Sequence, residues 1–524
     1  MYDIIIKKGK VFNGSDSKPE IIDIGIKKDE IVTLGNLSGY KAKTEINAEG
    51  LFVSPGFIEI NTIADRDLSV LYNRNAENFV RQGVTTVIGG ACGASLAPFL
   101  KKSLESVYKW GDYKSLNVNW HSVREFLHYL SLKRTAVNIG FLLSWAILRN
   151  NFTKQQFRGL KKEEKKELKR LVEDSLKDGV FGVAFGYGFD DEKAVSIDEI
   201  LELTPVIKKY KGYIAFNLRD ESVNFLSSLE EIAEVVQKSE LSGEIYQLKT
   251  LREPKNEILE KGLRLLQDIN KEKELLNFDL MPYETLAVLA YSLLPDWAAV
   301  GGRKVLLHNL RNETTKGKII ADMKERKILS PDITVAKSGD YWWFAGKTLQ
   351  EISHNFQMDI ENTFLKLIEI SEGNITLLIK TFSSEELKKI ISSPFSFISS
   401  SSGFTTIDNV SKNWEHPAAF GTFPKFLREF VREKKVFSWE QAIHKLTGKV
   451  ANKIGLKNRG FIKNGYKADI VIFDPEKITD ESTFQNPYQY PSGIRAVIIN
   501  GKLAFHKGRT TSQLSGNILR RSIS

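Results

Sequence analysis

The sequence predicts an α/β fold: a (β/α)8 barrel of the TIM type joined to a composite β-sandwich that both termini build. Two patterns carry this prediction. Isoleucine-rich strands occupy both ends of the chain, and short apolar runs alternate with amphipathic helices in the middle. Such alternation indicates a parallel sheet, and the length of the middle suits a barrel with insertions. The 524 residues exceed the ~250–300 that one core supports, so more than one domain is expected.

The two ends of the chain carry the same strand signals. Residues 2–7 are rich in isoleucine, and residues 468–473 form a second apolar run. Further on, Asn500-Gly501 separates two apolar segments, which is the strongest short hairpin signal. We therefore expect residues 1–55 and 449–512 to pair into one β-sandwich.

The middle of the chain, residues 56–448, is predicted to be the barrel. Apolar runs that we interpret as strands lie at residues 84–88, 137–143, 180–185, 213–216 and 245–248. Amphipathic runs that we interpret as helices lie at residues 161–175, 229–238 and 256–269. Residues 303–341 are less regular and more basic, and they precede Trp342-Trp343. This change predicts a small subdomain inserted at about residues 285–350.

Composition excludes several classes of function. The net charge of +10 is spread along the chain, and no basic stripe interleaved with aromatic residues indicates nucleic-acid binding. The single cysteine, Cys92, cannot form an internal disulfide. The N-terminus does not resemble a signal peptide, and the apolar region at 136–148 is too short to span a bilayer. A cytoplasmic location without nucleic-acid or membrane partners is therefore expected.

The segment PGFIEINTIAD, residues 55–65, has the frame of a barrel strand that leads to a metal site. Alternate residues of a strand share one face, so Glu59, Asn61 and Ile63 lie together. A metal site at the end of this strand would need imidazoles at the last two places. The chain has a neutral amide and a hydrocarbon there, and isoleucine cannot bind an ion.

Several long segments in a fixed order resemble the amidohydrolase superfamily, specifically the N-acyl-D-amino-acid deacylase (D-aminoacylase) branch. They are YDIIIKKGKVFNG at the start, LFVSPGFIEINT, RQGVTTVIGGACGASLAPF, HPAAFGTFPKFLREFVREKK from His416, and GFIKNGYKADIVIFDPEK. The resemblance covers nearly the whole chain. It implies a metal-loaded barrel, a β-sandwich from both termini, a small inserted domain and hydrolysis of an N-acyl amide. In such a site zinc activates a water molecule and a carboxylate handles its proton.

The resemblance also assigns positions to the family's metal site, and most of them carry other residues here. The histidines of the first strand correspond to Asn61 and Ile63, two later histidines to Asn217 and Gln247, a further one to Trp145, the catalytic aspartate to Ser402, and the cysteine ligand to Cys92. Amide oxygens are weak ligands for zinc, which prefers thiolate, imidazole and carboxylate. We therefore expect no catalytic zinc, with Cys92 as the retained ligand position.

The leading hypothesis is a pseudoenzyme that lacks the catalytic zinc and base and binds a small acidic ligand. Four side chains are candidates to bind that ligand: Lys249, Arg219, Arg149 and Tyr283. Internal ion pairing, for example of Arg219 with Asp220 or Glu221, is an equally good interpretation of the basic residues.

Two other functions stay open at this stage. One is an active hydrolase of C–N bonds in linear amides, with a remodelled site and zinc as its cofactor. The other is a structural role as a partner subunit. A buried, inert thiol is favoured over a nucleophile for Cys92, because no base is placed beside it. Sequence order alone allows Ser402 to pair with His416 as its base, but a structural hydrogen bond is the preferred role of His416.

Overall fold

The computed structural model describes residues 1–100, 118–154, 156–188, 192–251, 255–299, 302–408, 414–511 and 513–521. Within these ranges the chain forms a barrel, a mixed β-sheet built from both termini, and an insertion with its own sheet. No helix in these ranges has the length and apolar character needed to cross a membrane.

Strands from both ends of the chain form one sheet. In spatial order they are Arg509–Thr510, Lys502–His506, Ile494–Ile499, Ile470–Phe473, Phe52–Pro55, Tyr2–Val11, Glu20–Lys27 and Glu30–Gly35, with Ala42–Asn47 also paired to Tyr2–Val11. The two ends meet where Phe52–Pro55 pairs antiparallel with Ile470–Phe473. Isoleucine dominates because β-branched side chains pack well on a pleated, buried face, and Ile6, Ile24 and Ile498 are fully buried there. The predicted hairpin is present at Asn500-Gly501, where both residues have positive φ.

The barrel consists of two groups of parallel strands that together close a ring. The first group is Phe57–Glu59, Val84–Gly89 and Asn138–Phe141. The second is Leu143–Ser144, Gly182–Gly186, Tyr213–Asn217, Gly243–Ile245, Leu276–Leu280 and Ser396–Ile398. The ring closes where the Ser400 amide donates to Glu59 and the Ile63 amide donates to the Ser402 carbonyl. The predicted fold class is thus confirmed.

Helices cover the outside of the barrel. In chain order they are Ser69–Tyr72, Glu77–Val80, Val123–Lys133, Trp145–Thr153, Lys162–Asp178, Ile197–Leu201, Thr204–Lys209, Phe225–Ser239, Lys255–Ile269, Ser384–Ile391, Ala418–Lys425, Trp439–Leu446 and Gly448–Ile454. The helix Ala418–Lys425 continues as the π-helix Phe426–Glu433. The charged run KKEEKKELKR begins at Lys161, the N-cap of helix Lys162–Asp178. This helix buries only one stripe, which includes Leu168, Val172 and Leu176.

The insertion is larger than the sequence predicts. Its antiparallel sheet has the order Thr285–Leu289, Ile375–Lys380, Thr334–Ser338. Its helices are Asp296–Ala299, Arg303–Arg311, Glu313–Arg326, Leu349–Phe356 and Ile360–Ile370, with short 3-10 helices at Ala290–Leu293 and Trp342–Phe344. Because the central strand ends at Lys380, the insertion extends past the expected limit near residue 350. The helix Ile360–Ile370 and the strand Ile375–Lys380 follow one another as in a barrel unit. The strand belongs to the insertion because it pairs with Thr285–Leu289 and Thr334–Ser338.

The C-terminal segment 513–521 packs against the barrel. The Ile139 amide donates to the Asn517 carbonyl, and the Leu519 amide donates to the Ile139 carbonyl. The Arg521 amide donates to the Gly179 carbonyl, so this segment bridges two neighbouring parts of the barrel wall. Sequence analysis ended the β-sandwich at residue 512 and assigned these residues no role.

Deleting residues 512–524 is expected to lower the free energy of unfolding by about 3 kcal/mol, since the deletion removes several backbone hydrogen bonds to the barrel and the apolar contacts of Leu519. Urea denaturation followed by fluorescence measures the change. Leu519→Ala in the full-length chain is the matched smaller perturbation, and we expect it to lose about 1 kcal/mol. A truncated chain as stable as the full-length chain would show that the segment contributes nothing to the barrel.

Candidate functional site

A cavity of about 290 Å³ lies at the carboxyl ends of the barrel strands. Asn217 ends one strand, and Cys92, Gln247, Met281 and Ser402 follow shortly after four others. The insertion supplies much of the opposite wall, with apolar side chains on its strands Thr285–Leu289 and Ile375–Lys380. Active sites of this barrel type lie at the same end, because loops that follow the strands converge there.

The structure brings most of the predicted site residues together at this cavity. The lining includes Ile63, Cys92, Asn217, Gln247, Ser402, Arg219 and Lys249. Asn61 is fully buried next to this group, where its side chain contacts Asp279. Arg149, Tyr283 and Trp145 are not part of the lining.

Two buried carboxyl groups, Glu59 and Asp279, lie where the sequence places the family's metal. Asp279 accepts hydrogen bonds from Gln247 Nε2 at 2.8 Å and from Asn61 Nδ2 at 3.3 Å. Glu59 accepts hydrogen bonds from the Ser400 amide at 2.7 Å, the Ser400 hydroxyl at 2.6 Å and the Asn61 amide at 2.9 Å. Amide and hydroxyl donors therefore satisfy both carboxyl groups, which we call the buried carboxyl pair.

Burial sets the protonation of this pair. Burial raises the pKa of Asp279 to about 7, and the nearby Glu59 adds to this effect. Burial also raises the pKa of Glu59, although the hydrogen bonds from Ser400 oppose the rise. Near pH 7 the Asp279 carboxyl group therefore retains a proton far more readily than an exposed aspartate does. Sequence analysis missed Asp279, although it begins the DLMPY segment that contains Tyr283.

Comparison with known proteins shows which proteins the chain resembles. Residues 404–505 match the model of an amidohydrolase family. Over 99% of this chain, D-aminoacylase from Alcaligenes xylosoxydans xylosoxydans is 26% identical and N-acyl-D-aspartate deacylase from the same organism is 28% identical, with 98% and 95% of those chains covered. The chain thus resembles the amidohydrolase family, by the family model in one segment and by these two proteins over its whole length. Its full-length relatives fall in the D-aminoacylase branch, as the resemblance implied.

Solved structures of amidohydrolases agree with the fold. A zinc- and inhibitor-bound N-acyl-D-glutamate deacylase from Bordetella bronchiseptica has a TM-score of 0.83 at 21% identity, with 99% of each chain covered. A D-aminoacylase structure has a TM-score of 0.82 at 24% identity, covering 99% of this chain and all of the other. At this level of identity the likeness establishes the barrel and the additional β-domain.

The basic side chains predicted to bind an acidic ligand already have acidic partners in the structure. Lys249 Nζ donates to Glu221 Oε1 at 2.6 Å. Arg219 binds Glu231 through two hydrogen bonds of 2.9 and 2.5 Å and also donates to two backbone carbonyls. Its acidic partner is thus Glu231, and neither Asp220 nor Glu221. Helix Phe225–Ser239 supplies this glutamate twelve residues along the chain, which sequence proximity could not reveal.

Arg149 and Tyr283 belong to the interior instead of the cavity, which corrects their assignment as ligand-binding candidates. Arg149 forms a buried ion pair with Glu199 at 2.9 Å, and Trp145 donates to the same carboxylate at 3.0 Å. Both residues lie on the buried face of helix Trp145–Thr153. Tyr283 packs edge-to-face against His416 and Phe484.

His416 cannot act as the base for Ser402. Its Nε2 lies 2.8 Å from the Thr285 carbonyl oxygen, and its Nδ1 accepts a hydrogen bond from the Ala418 amide. Burial lowers the pKa of His416 to about 4, so the ring is neutral near pH 7. The ring thus makes the structural hydrogen bonds that sequence analysis preferred. The Ser402 hydroxyl lies 2.9 Å from Ser400 Oγ.

Cys92 lines the cavity as a protonated thiol. Burial raises its pKa, and this effect outweighs the opposing influence of Arg66. The thiol is therefore a poor nucleophile near neutral pH, because thiolate is the reactive form.

Three further titratable side chains, which we call the acid–lysine cluster, line the cavity: Asp67, Lys337 and Glu415. Burial raises the pKa of Glu415 to about 7, and the charge of Asp67 adds to the rise. Burial also raises the pKa of Asp67 and lowers the pKa of Lys337. The three residues come from a loop after the first barrel strand, a strand of the insertion and the segment before helix Ala418–Lys425. No sequence pattern connects them, and sequence analysis missed all three.

Proposed function

We propose that this amidohydrolase-family chain binds a small molecule in its barrel cavity and does not perform zinc-dependent amide hydrolysis. One observation carries the proposal. Asn61 and Gln247, which take the places of two expected imidazoles, direct their amide N–H groups at Asp279. An N–H group cannot coordinate a cation, and it stabilises the carboxylate that a cation would otherwise neutralise.

The remaining donors near this place also fit zinc poorly. Ile63 offers no donor atom, and Cys92 is the one residue at the family's ligand positions whose type zinc prefers. Zinc sites are built from thiolate, imidazole and carboxylate ligands in tetrahedral geometry. Bound zinc would supply an activated water molecule. His416 is the histidine among the described residues that line the cavity, and hydrogen bonds engage both of its ring nitrogens, so it cannot coordinate the zinc.

A turnover assay tests the absence of hydrolysis. The purified chain, supplied with one and with two equivalents of zinc, is incubated with N-acetyl-D-methionine, N-acetyl-D-aspartate and N-acetyl-D-glutamate, and release of the free amino acid is followed. We expect no release above the rate of a heat-inactivated sample. These substrates follow from the activities for which the curated relatives are named, D-aminoacylase and the N-acyl-D-aspartate and N-acyl-D-glutamate deacylases. Zinc-dependent release at a rate typical of enzymes would reject the proposal and favour an active C–N hydrolase.

Restoring nitrogen donors is expected to create zinc affinity. The variant that combines Asn61→His, Ile63→His, Asn217→His, Gln247→His and Ser402→Asp should bind zinc at least tenfold more tightly than the natural chain, because imidazole replaces amide and hydrocarbon. Competition with a chromogenic chelator measures the affinity, and Asn61→His alone is the control. Equal zinc affinities of the quintuple variant and the natural chain would mean that these five positions do not converge as proposed.

A further inference from the structure

The cavity contains several basic groups whose charges are already balanced. Arg219 is paired with Glu231, Lys249 with Glu221, and Lys193 with Asp296, all at 2.9 Å or less. A ligand carboxylate would have to displace a carboxylate of the protein at each of these places. An anionic ligand is therefore disfavoured at these three cations.

The acid–lysine cluster contains two carboxyl groups and one lysine, and Arg66 also lines the cavity next to Asp67. Within the described residues, no hydrogen bond contributes to the pKa of the Glu415 carboxyl group, and the charges that act on it are those of Asp67 and Lys337. Asp67 accepts a hydrogen bond from the Ser69 amide at 2.9 Å and packs directly against Gly403. The charge of Arg66 acts on the buried Asp65 as well as on Asp67, so Asp65, Asp67 and Glu415 face two cations, Arg66 and Lys337. When all three acids are ionised, this group of residues carries one excess negative charge.

A second feature of the cavity is a buried hydrogen-bond acceptor that lacks a donor. Asn217 lines the cavity with only 8% of its surface exposed, and its Oδ1 has no hydrogen-bond partner within the described residues. A buried acceptor without a partner is unfavourable, because it has lost its hydrogen bonds to water. A ligand with an N–H group would recover this loss. Opposite these polar groups, Leu286, Val288 and Leu378 offer an apolar surface.

We propose that the cavity recognises a small organic amine, whose ammonium group lies beside Glu415 and Asp67 and whose apolar body packs on the strands of the insertion. This inference rests on the proposed binding function and deepens it by naming the class of ligand. It replaces the acidic ligand expected from the sequence. Charge-assisted hydrogen bonds between an ammonium group and a carboxylate are strong where water is excluded.

Binding measurements with three matched probes test the ligand class. The probes are 2-phenylethylamine, 2-phenylethanol and 3-phenylpropionate, which share a phenyl group and differ in charge. The charged or titratable groups near Glu415 are Asp67, Lys337 and the Tyr488 phenol. Titration calorimetry is performed at pH 8, where the Glu415 carboxyl group is mainly ionised. We expect the amine to bind at least tenfold more tightly than the alcohol or the carboxylate. Tighter binding of the carboxylate, or no binding of the amine, would overturn the inference.

Two substitutions with opposite expected effects locate the ammonium group. Glu415→Gln should weaken amine binding at least tenfold, whereas Lys337→Met should strengthen it severalfold by removing a competing cation. Glu163→Gln, on the exposed face of helix Lys162–Asp178, is the control for loss of one carboxylate and should leave affinity unchanged. Unchanged affinity in both cavity variants would show that the amine does not bind at this cluster. Circular dichroism confirms that each variant is folded before titration.

The same preparations separate this inference from the proposed function. Zinc-dependent release of an amino acid would reject the proposed function whatever the amine titration shows. Absence of turnover together with absence of amine binding would reject the amine inference alone.

Discussion

Replacing Arg149 by methionine is expected to lower the free energy of unfolding by about 3–5 kcal/mol. Arg149 and Glu199 are 1% and 5% exposed, and their ion pair lies at 2.9 Å. The substitution leaves the Glu199 carboxylate buried without its cation, and Trp145 is then its only side-chain donor among the described residues. Removing one partner of a buried pair is costly, because the other charge stays desolvated. Urea denaturation at pH 7 measures the change.

Two comparisons isolate the cause of this destabilisation. Arg170→Met removes an arginine from the exposed face of helix Lys162–Asp178, where it pairs with Glu167 and Asp174. We expect a loss below about 1 kcal/mol there, because solvent screens surface pairs. The double variant Arg149→Met with Glu199→Gln should recover about half of the loss. A loss in Arg149→Met no larger than in Arg170→Met would contradict the interior role that the structure gives this arginine.

The second large effect is a dependence of stability on pH that arises from Asp279. Its pKa is about 7 in the folded chain against 3.8 for the ordinary group. The folded state thus holds this proton more tightly than the unfolded state, so the contribution to stability is fully present below pH 3.8 and is lost as the pH rises through 7. The full effect is at most about 4 kcal/mol. Asp65 and Glu415, whose pKa values burial also raises to about 7, act in the same direction.

Asp279→Asn is expected to remove the contribution of this residue. Relative to the natural chain, the variant should gain about 2–3 kcal/mol in free energy of unfolding between pH 5 and pH 8, because asparagine has no proton to lose. Any packing cost of the substitution that is the same at pH 5 and pH 8 cancels in this comparison. Asp340→Asn, at an exposed turn, is the matched control. Urea denaturation at four pH values measures both variants, and an equal pH slope in Asp279→Asn and the natural chain would contradict the prediction.

The sequence predicted those parts of the fold that depend on local patterns. Isoleucine-rich strands, the hairpin at Asn500-Gly501 and the alternation of strands and helices all follow from side-chain periodicity and turn preference. The resemblance further predicted which positions meet at the barrel mouth. Asn217 and Gln247 lie there because each ends or follows a parallel strand, and such strand ends converge at one edge.

Other features could not be predicted because they depend on contacts between distant segments. The partner of Arg219 lies on a later helix, and the face of helix Trp145–Thr153 that buries Arg149 is set by packing against Glu199. The end of the insertion at Lys380 is defined by strand pairing, which periodicity does not specify. The acid–lysine cluster joins three segments that no motif links.

The central claim is that hydrogen bonds from amides to Asp279 take the place of a bound zinc ion. Metal content of the purified chain tests it most directly. The protein is expressed in zinc-supplemented medium, purified without chelators and analysed by inductively coupled plasma mass spectrometry. We predict well below one zinc ion per natural chain. The quintuple variant with four new histidines and one new aspartate is prepared in parallel, as the control that the procedure retains a bound ion. About one zinc ion per natural chain that survives dialysis would contradict the claim.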